Sequence, residues 1–219
     1  MLEQTGIIEK TLDVYKRCDV KTFPIDCFKI ITGLGISLYK YSDLSEAKIK
    51  KCLQISNDAF TIQGTIFFND KFPHEERQRF SLMHEVGHIV LKHTGDCINN
   101  EKEADYFASH ILAPRSLIWH LGRNTVKDIY NTFFVSCMAA NKILEDFNTT
   151  DFQYNQKLHM SIRDWFFPNK NNDLCVQIDN LPEDQESDLL FFNTYRYIMG
   201  DNFIFERSEH YHLHGYNSY

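Results

Sequence analysis

The sequence predicts an α+β fold, a small, three-stranded sheet packed on a helical bundle. Four observations predict it. Hydrophobic residues make up 43% of the 219 and charged residues only 24%, which supports a packed core rather than a disordered chain. Residues 36–69 hold short apolar and aromatic runs broken by turn formers. Residues 71–148 hold apolar residues at helical spacing. Aromatic side chains are abundant, with 18 Phe and 11 Tyr against 2 Trp, and each buries a large apolar area.

The elements follow in chain order. Residues 2–14 read as an amphipathic helix, with Leu12 and Val14 among its apolar positions. Pro24 opens a second helix over residues 25–32, and Gly33 with Gly35 stops it. Residues 36–39 read as a strand and 45–53 as a helix. Phe60, Ile62, Ile66 and Phe67 give a hairpin turning near Gly64 and ending at Asn69-Asp70. Pro73 introduces a helical pattern from Glu75 to His93, and a loop follows at 94–99. Asn100 is the expected N-cap of the next helix, with Glu103 closing a capping box. That helix stops before Pro114. Further helices are expected over 115–121, 125–134 and 136–147.

The remainder is less patterned. Residues 148–155 are polar, 168–173 are turn-rich, 174–178 suit a strand, 181–186 a linker and 187–199 a helix. This divides the chain into a domain at 1–148 and a C-terminal extension or small accessory domain at 149–219.

Charge and cysteine usage narrow the function classes. Lys and Arg number 23 against 30 Asp and Glu, a formal charge of -7, which disfavours a nucleic-acid coat or a basic membrane binder. The six cysteines form no C-x-x-C pair, as expected of free thiols in a reducing cytoplasm. The N-terminal residues lack the basic and apolar regions of a leader, and no apolar run is long enough to span a bilayer.

The chemistry concentrates at His84-Glu85-Val86-Gly87-His88. Two histidines four apart share one helix face, so both imidazoles can reach one Zn2+ ion, and Glu85 flanks the metal as a general base. Gly87 leaves room for a neighbouring helix. A competing reading makes the histidines core residues bonded to backbone carbonyls and Glu85 part of a solvated face.

A second segment weighs against it. Glu101 and Asp105 lie four apart on the next expected helix. Antiparallel packing would present Glu101 as the third metal ligand and Asp105 as an outer acceptor for a ligand imidazole. Two histidines, one glutamate and one open position form a catalytic rather than a closed structural zinc set. Glu103 is the alternative third ligand, but it lies about 200° around the helix from Glu101. Its capping role and the pairing of Glu101 with Asp105 favour Glu101. The expected fold is therefore an α+β domain whose helical bundle carries an HEXXH zinc helix.

These residues carry a resemblance. The stretch from Glu76 through Arg77, Arg79, Phe80 and the His84–His88 motif, then Glu101, Ala104, Asp105, Ala108 and Leu112-Ala113-Pro114, resembles the ImmA/IrrE metallopeptidases. The likeness spans roughly residues 22–145 and is weak over the last seventy. Ala113 departs from the methionine common there, at a packing position. The resemblance implies a zinc protease with His84, His88 and Glu101 as ligands and Glu85 as base. It further implies a protein substrate, a DNA-binding helix-turn-helix repressor of mobile-element or stress genes.

The expected function is thus a cytoplasmic zinc endopeptidase of narrow specificity, with no direct nucleic-acid or membrane partner. The alternative is a non-hydrolytic zinc protein that binds a repressor. A weaker third reading is DNA binding through residues 136–147. His110, Tyr106, Tyr130, His120, Tyr154 and His159 are oxyanion donors by type only. An edge at 61–69 could hold an extended peptide. His210, His212 and His214 suit a polar terminus, Cys97 a buried or loop thiol, and Arg77 and Arg79 surface ion pairs with Glu75 or Glu76.

Overall fold

A computed structural model describes residues 4–95, 97–146 and 156–168. The expectations for 174–178, 181–186 and 187–199, and for Tyr154, Cys175 and the histidines of the tail, fall outside the described residues. Helix α1 (Gln4–Arg17) buries Ile7, Ile8, Thr11, Leu12, Val14 and Tyr15, a stripe at three- and four-residue spacing. Lys16 and Arg17 close it, which suits the negative end of the helix dipole. Helix α2 (Cys27–Leu34) begins later than Pro24 suggests. Asp26 is its N-cap and accepts from the Lys29 amide at 3.0 Å, so the proline lies ahead of the helix rather than within it.

Strands β1 (Ser37–Lys40), β2 (Ala59–Ile62) and β3 (Thr65–Phe68) form one sheet in the order β1-β3-β2. Helix α3 (Glu46–Ile55) lies between β1 and β2 in the chain. β1 runs parallel to β3, and β2 antiparallel to it. Gln63 and Gly64 join β2 to β3 with φ of 51° and 75°, the two positive values of a type I′ turn. The central strand is β3, so the expected peptide-holding edge shrinks from 61–69 to β2. The backbone groups of β3 are consumed by both neighbours. Period-two alternation sends Ala59, Ile66 and Phe68 into the core. The opposite face stacks Tyr39, Phe67 and Phe60 across the three strands, with centroid spacings of 5.4 Å at both steps.

Helix α4 (Glu75–Val90) packs on the sheet and against α5 (Ile98–Leu112). Arg77 fixes its first turns to the sheet. It donates to Asp58 Oδ2 from Nη2 at 2.8 Å and from Nε at 3.2 Å, and lies 4.7 Å over Phe72. Arg79 donates to the Phe134 carbonyl at 3.2 Å. Both arginines are structural, and these contacts tie them to residues outside α4.

The N-cap of α5 is Cys97, whose sulfur accepts from the Asn100 amide; Asn100 lies inside the helix, and the expected capping box does not form. Cys97 is exposed, and Cys18, Cys27, Cys52 and Cys137 are buried.

Helices α6 (Arg115–His120), α7 (Val126–Phe133) and α8 (Cys137–Asp146) complete the bundle. A further helix, α9 (Gln156–Phe166), has no counterpart among the sequence expectations. It closes the core from the α1 side. Phe166 meets Tyr15 edge-on at 5.0 Å and stacks on Phe23 at 4.8 Å, while Trp165 donates to the Val20 carbonyl at 2.8 Å. Each such aromatic pair adds about 0.5–1.5 kcal/mol beyond its buried area. Among the described residues, no helix is long and apolar enough to cross a membrane.

Candidate metal centre

The site is built where α4 and α5 pass closest. Gly87 sits at that crossing. A Cβ there would lie 3.1 Å from Phe107 Cδ1 and 3.2 Å from Ala104 Cα, so a side chain would push the helices apart. Ala104 and Ala108 are fully buried on the facing side of α5. This approach lets carboxylates on α5 reach histidines on α4. The pairing of His84 with Asp105 and of His88 with Glu101 shows that the helices run antiparallel.

His84, His88 and Glu101 each offer one donor atom to a common point, all within 4.8 Å of one another. The His84 and His88 Nε2 atoms stand 2.9 Å apart. Glu101 Oε2 is 3.2 Å from His84 Nε2, and its Oε1 is 3.4 Å from His88 Nε2. Bonds of about 2.0–2.1 Å at tetrahedral angles would set ligand atoms about 3.3 Å apart. The three shortest separations lie near that spacing, the two to Glu101 being to its different oxygens. Two imidazoles and one carboxylate also match the chemistry of Zn2+, and three protein donors leave a fourth position open.

The surroundings orient these donors. His84 Nδ1 donates to Asp105 Oδ1 at 2.8 Å, which turns Nε2 toward the shared point. Burial works against protonation of His84, but the Asp105 bond and charge outweigh it, with Glu85 and Glu101 adding to them, and hold the imidazole above its ordinary pKa. His88 moves the other way, held down by burial and then by His84. Glu85 is half-buried. Burial pushes its carboxyl above the usual carboxylate range; the Thr61 hydroxyl and His84 pull it part of the way back. A carboxylate tuned upward is a better proton acceptor near neutrality.

Glu103 does not join the donor triangle. It faces His93, with Oε2 at 3.1 Å from His93 Nε2. The sequence reading missed His93. It lies five residues after His88, off the helical repeat, so periodicity gave no reason to select it. Among the typed oxyanion donors, His110 Nδ1 bonds the Tyr106 carbonyl at 3.0 Å and its ring lies 4.0 Å from that of Tyr106. His120 lies against Phe167, Tyr130 against Phe134, and His159 is buried 6.4 Å from the His110 ring.

Comparison with known proteins bears on the same segment. The family model described as the IrrE N-terminal-like domain, peptidase M78, matches residues 36–145, half of the chain. That span holds the sheet, both helices of the site and α6 to α8 up to residue 145. Comparison with curated proteins returns no match.

Proposed function

We propose that this chain, which belongs to the IrrE N-terminal-like domain family and is a zinc metallopeptidase, is an endopeptidase of narrow specificity that cuts a helix-turn-helix transcriptional repressor in the cytoplasm. The observation that carries the reading is the donor triangle on α4 and α5 with Glu85 beside it on the same helix. In this reading His84, His88 and Glu101 hold the metal, Asp105 orients His84, and Glu85 is the catalytic base. Bound zinc would acidify water and polarise a carbonyl. Glu85 takes the proton released as the nucleophile attacks and delivers it to the departing amine. Its raised proton affinity suits both halves of that transfer.

Placement of the sheet supports a peptide substrate. β2 is an edge strand, and Thr61 within it lies close enough to Glu85 to influence its carboxyl. An extended segment added to β2 would pass the base. The net charge of -7 favours a DNA-binding protein over DNA as the partner. Residues 1–148 form the peptidase domain in this reading, with α9 packed onto its core, and the residues after α9 are an extension available for recruiting the substrate.

The test is co-incubation of the zinc-loaded protein with a helix-turn-helix repressor, taken first from a neighbouring gene if one encodes such a protein. Wild type should cleave. Glu85→Gln should lose about 10²–10⁴-fold in rate while keeping zinc at stoichiometric level. Equal cleavage by both forms would remove Glu85 from the mechanism. A repressor that binds wild type tightly and stays intact would establish the non-hydrolytic alternative instead.

A further inference from the structure

We propose that His93 is a positioning residue for the metal centre, linking the outer nitrogen of His88 to the buried carboxylate of Glu103. The inference rests on His88 being a metal ligand. His88 presents Nε2 to the donor triangle and turns Nδ1 away from it. That Nδ1 stands 3.0 Å from His93 Nδ1, and His93 Nε2 stands 3.1 Å from Glu103 Oε2. The three side chains thus form one line from ligand to carboxylate.

Valence fixes the protons along that line. A histidine that gives its Nε2 lone pair to a metal keeps its proton on Nδ1. Two Nδ1 atoms at hydrogen-bond distance can share only one proton. His88 therefore donates, His93 Nδ1 accepts, and the proton of His93 sits on Nε2, where Glu103 accepts it. Each member satisfies the next, and the chain ends on an anion. A donor–acceptor line of this kind holds the His88 ring in one orientation and one tautomer.

The backbone builds the line deliberately. Helix α4 ends at Val90, and Lys92 takes a φ of 58°. That turn folds the chain back, and the His93 amide donates to the His88 carbonyl at 3.0 Å. The His93 ring then meets the His88 ring edge-on at 5.0 Å. Glu103 arrives from α5. Its side chain is 9% exposed and that of His93 6%, whereas Asp105, which holds His84, is 54% exposed. The two ligand histidines are thus held differently. His84 leans on a carboxylate in contact with water, and His88 on a relay shielded from it.

The experiment measures zinc affinity by chelator competition, and the melting temperature of the zinc-free form, for full-length His93→Phe, Glu103→Leu and Glu103→Gln, with His88→Ala as control. His93→Phe keeps a ring of similar size but removes both bonds, and should weaken zinc binding about 10- to 100-fold. Glu103→Leu should do likewise. Glu103→Gln retains an oxygen that accepts from His93 and should stay within about threefold of wild type. Where His93→Phe fails to fold, the Leu and Gln pair at Glu103 decides the matter. Affinities of His93→Phe and Glu103→Leu within about twofold of wild type, with binding lost in His88→Ala, would overturn the relay and leave the metal site standing. Affinity losses that only track the zinc-free melting temperatures would also overturn it. Unchanged affinity in His88→Ala would instead overturn the ligand assignment on which the relay rests.

Discussion

Helix α5 serves two histidine clusters of opposite character. At its N-terminal half, Glu101, Glu103 and Asp105 face His84, His88 and His93. At its C-terminal end, His110 lies beside His159 of α9 and near the Arg115 guanidinium. Arg115 is itself buried, donating to Asp146 Oδ2 at 2.7 Å and to the Ser109 and Ala113 carbonyls at 3.1 Å. Imidazoles therefore meet anions at one end of α5 and a cation at the other. Carboxylate neighbours prepare imidazoles to surround a positive ion. Burial, reinforced by a guanidinium neighbour, keeps the other pair neutral and makes it part of the core. The types and number of histidines do not distinguish a metal centre from a packing cluster; the charge of what faces them does.

The sharpest way to separate the two clusters is acid. Burial, and after it Arg115, holds both His110 and His159 below the ordinary imidazole value, with His159 down to about 4. An unfolded histidine titrates near 6.5, so between these values the unfolded chain binds more protons than the native one. Stability contributed by His159 is complete above about pH 6.5 and lost as pH falls toward 4, on the order of 3 kcal/mol over the whole window. Urea unfolding at about pH 7 and about pH 4.5 should show this loss for wild type and a smaller one for His159→Leu. Comparing the two proteins cancels the acid sensitivity of the metal site. Equal losses would mean that His159 is not held neutral by the fold.

Breaking the other cluster should leave that acid response alone. Asp105→Ala removes the acceptor behind His84, and zinc affinity by chelator competition should fall about 10- to 100-fold. A value unchanged from wild type would show that the His84 orientation needs no support. The smallest effect is expected where the two helices meet. Gly87→Ala gains about 1 kcal/mol of helix propensity but forces a methyl against the Ala104 backbone and Phe107. The backbone atoms cannot rotate away as a side chain end could. A net loss of about 1 kcal/mol is expected by chemical unfolding, together with weaker zinc binding, because Glu101 is carried on the displaced helix. A variant more stable than wild type with unchanged affinity would show that α5 can retreat without opening the donor triangle.

What the sequence disclosed follows the same division. His84, Glu85 and His88 lie within one helix, where the 3.6-residue repeat converts spacing directly into a shared face. Glu101 and Asp105 add a second helical pair, and the structure brings the two pairs together. The sheet's three strands were legible from alternation and from the turn at Gly64. Their order was not, because the parallel pairing of β1 with β3 depends on a crossover that local pattern does not encode.

His93 and Glu103 illustrate the limit most directly. Asn100 is a better N-cap by residue type than Cys97, and the misplaced cap gave Glu103 a local role that concealed its tertiary one. The bend at Lys92 then places His93 outside any helical register. Helix α9 was illegible for a different reason. Leu158, Ile162 and Phe166 do recur at helical spacing, but the stripe is short and sits in a polar stretch, and its place is set by the rings of Tyr15 and Phe23, more than a hundred residues upstream.

The edge strand β2 is four residues long, roughly 13 Å of extended chain. A segment laid along it gains only a handful of backbone bonds, too few to unravel a stable helix of a folded partner. For an enzyme reading its substrate this way, selection falls on stretches already open or able to open cheaply: linkers, frayed helix ends, hinges between domains. The rate at which a protein partner is cut would then be governed as much by that partner's local breathing as by any side chain it presents.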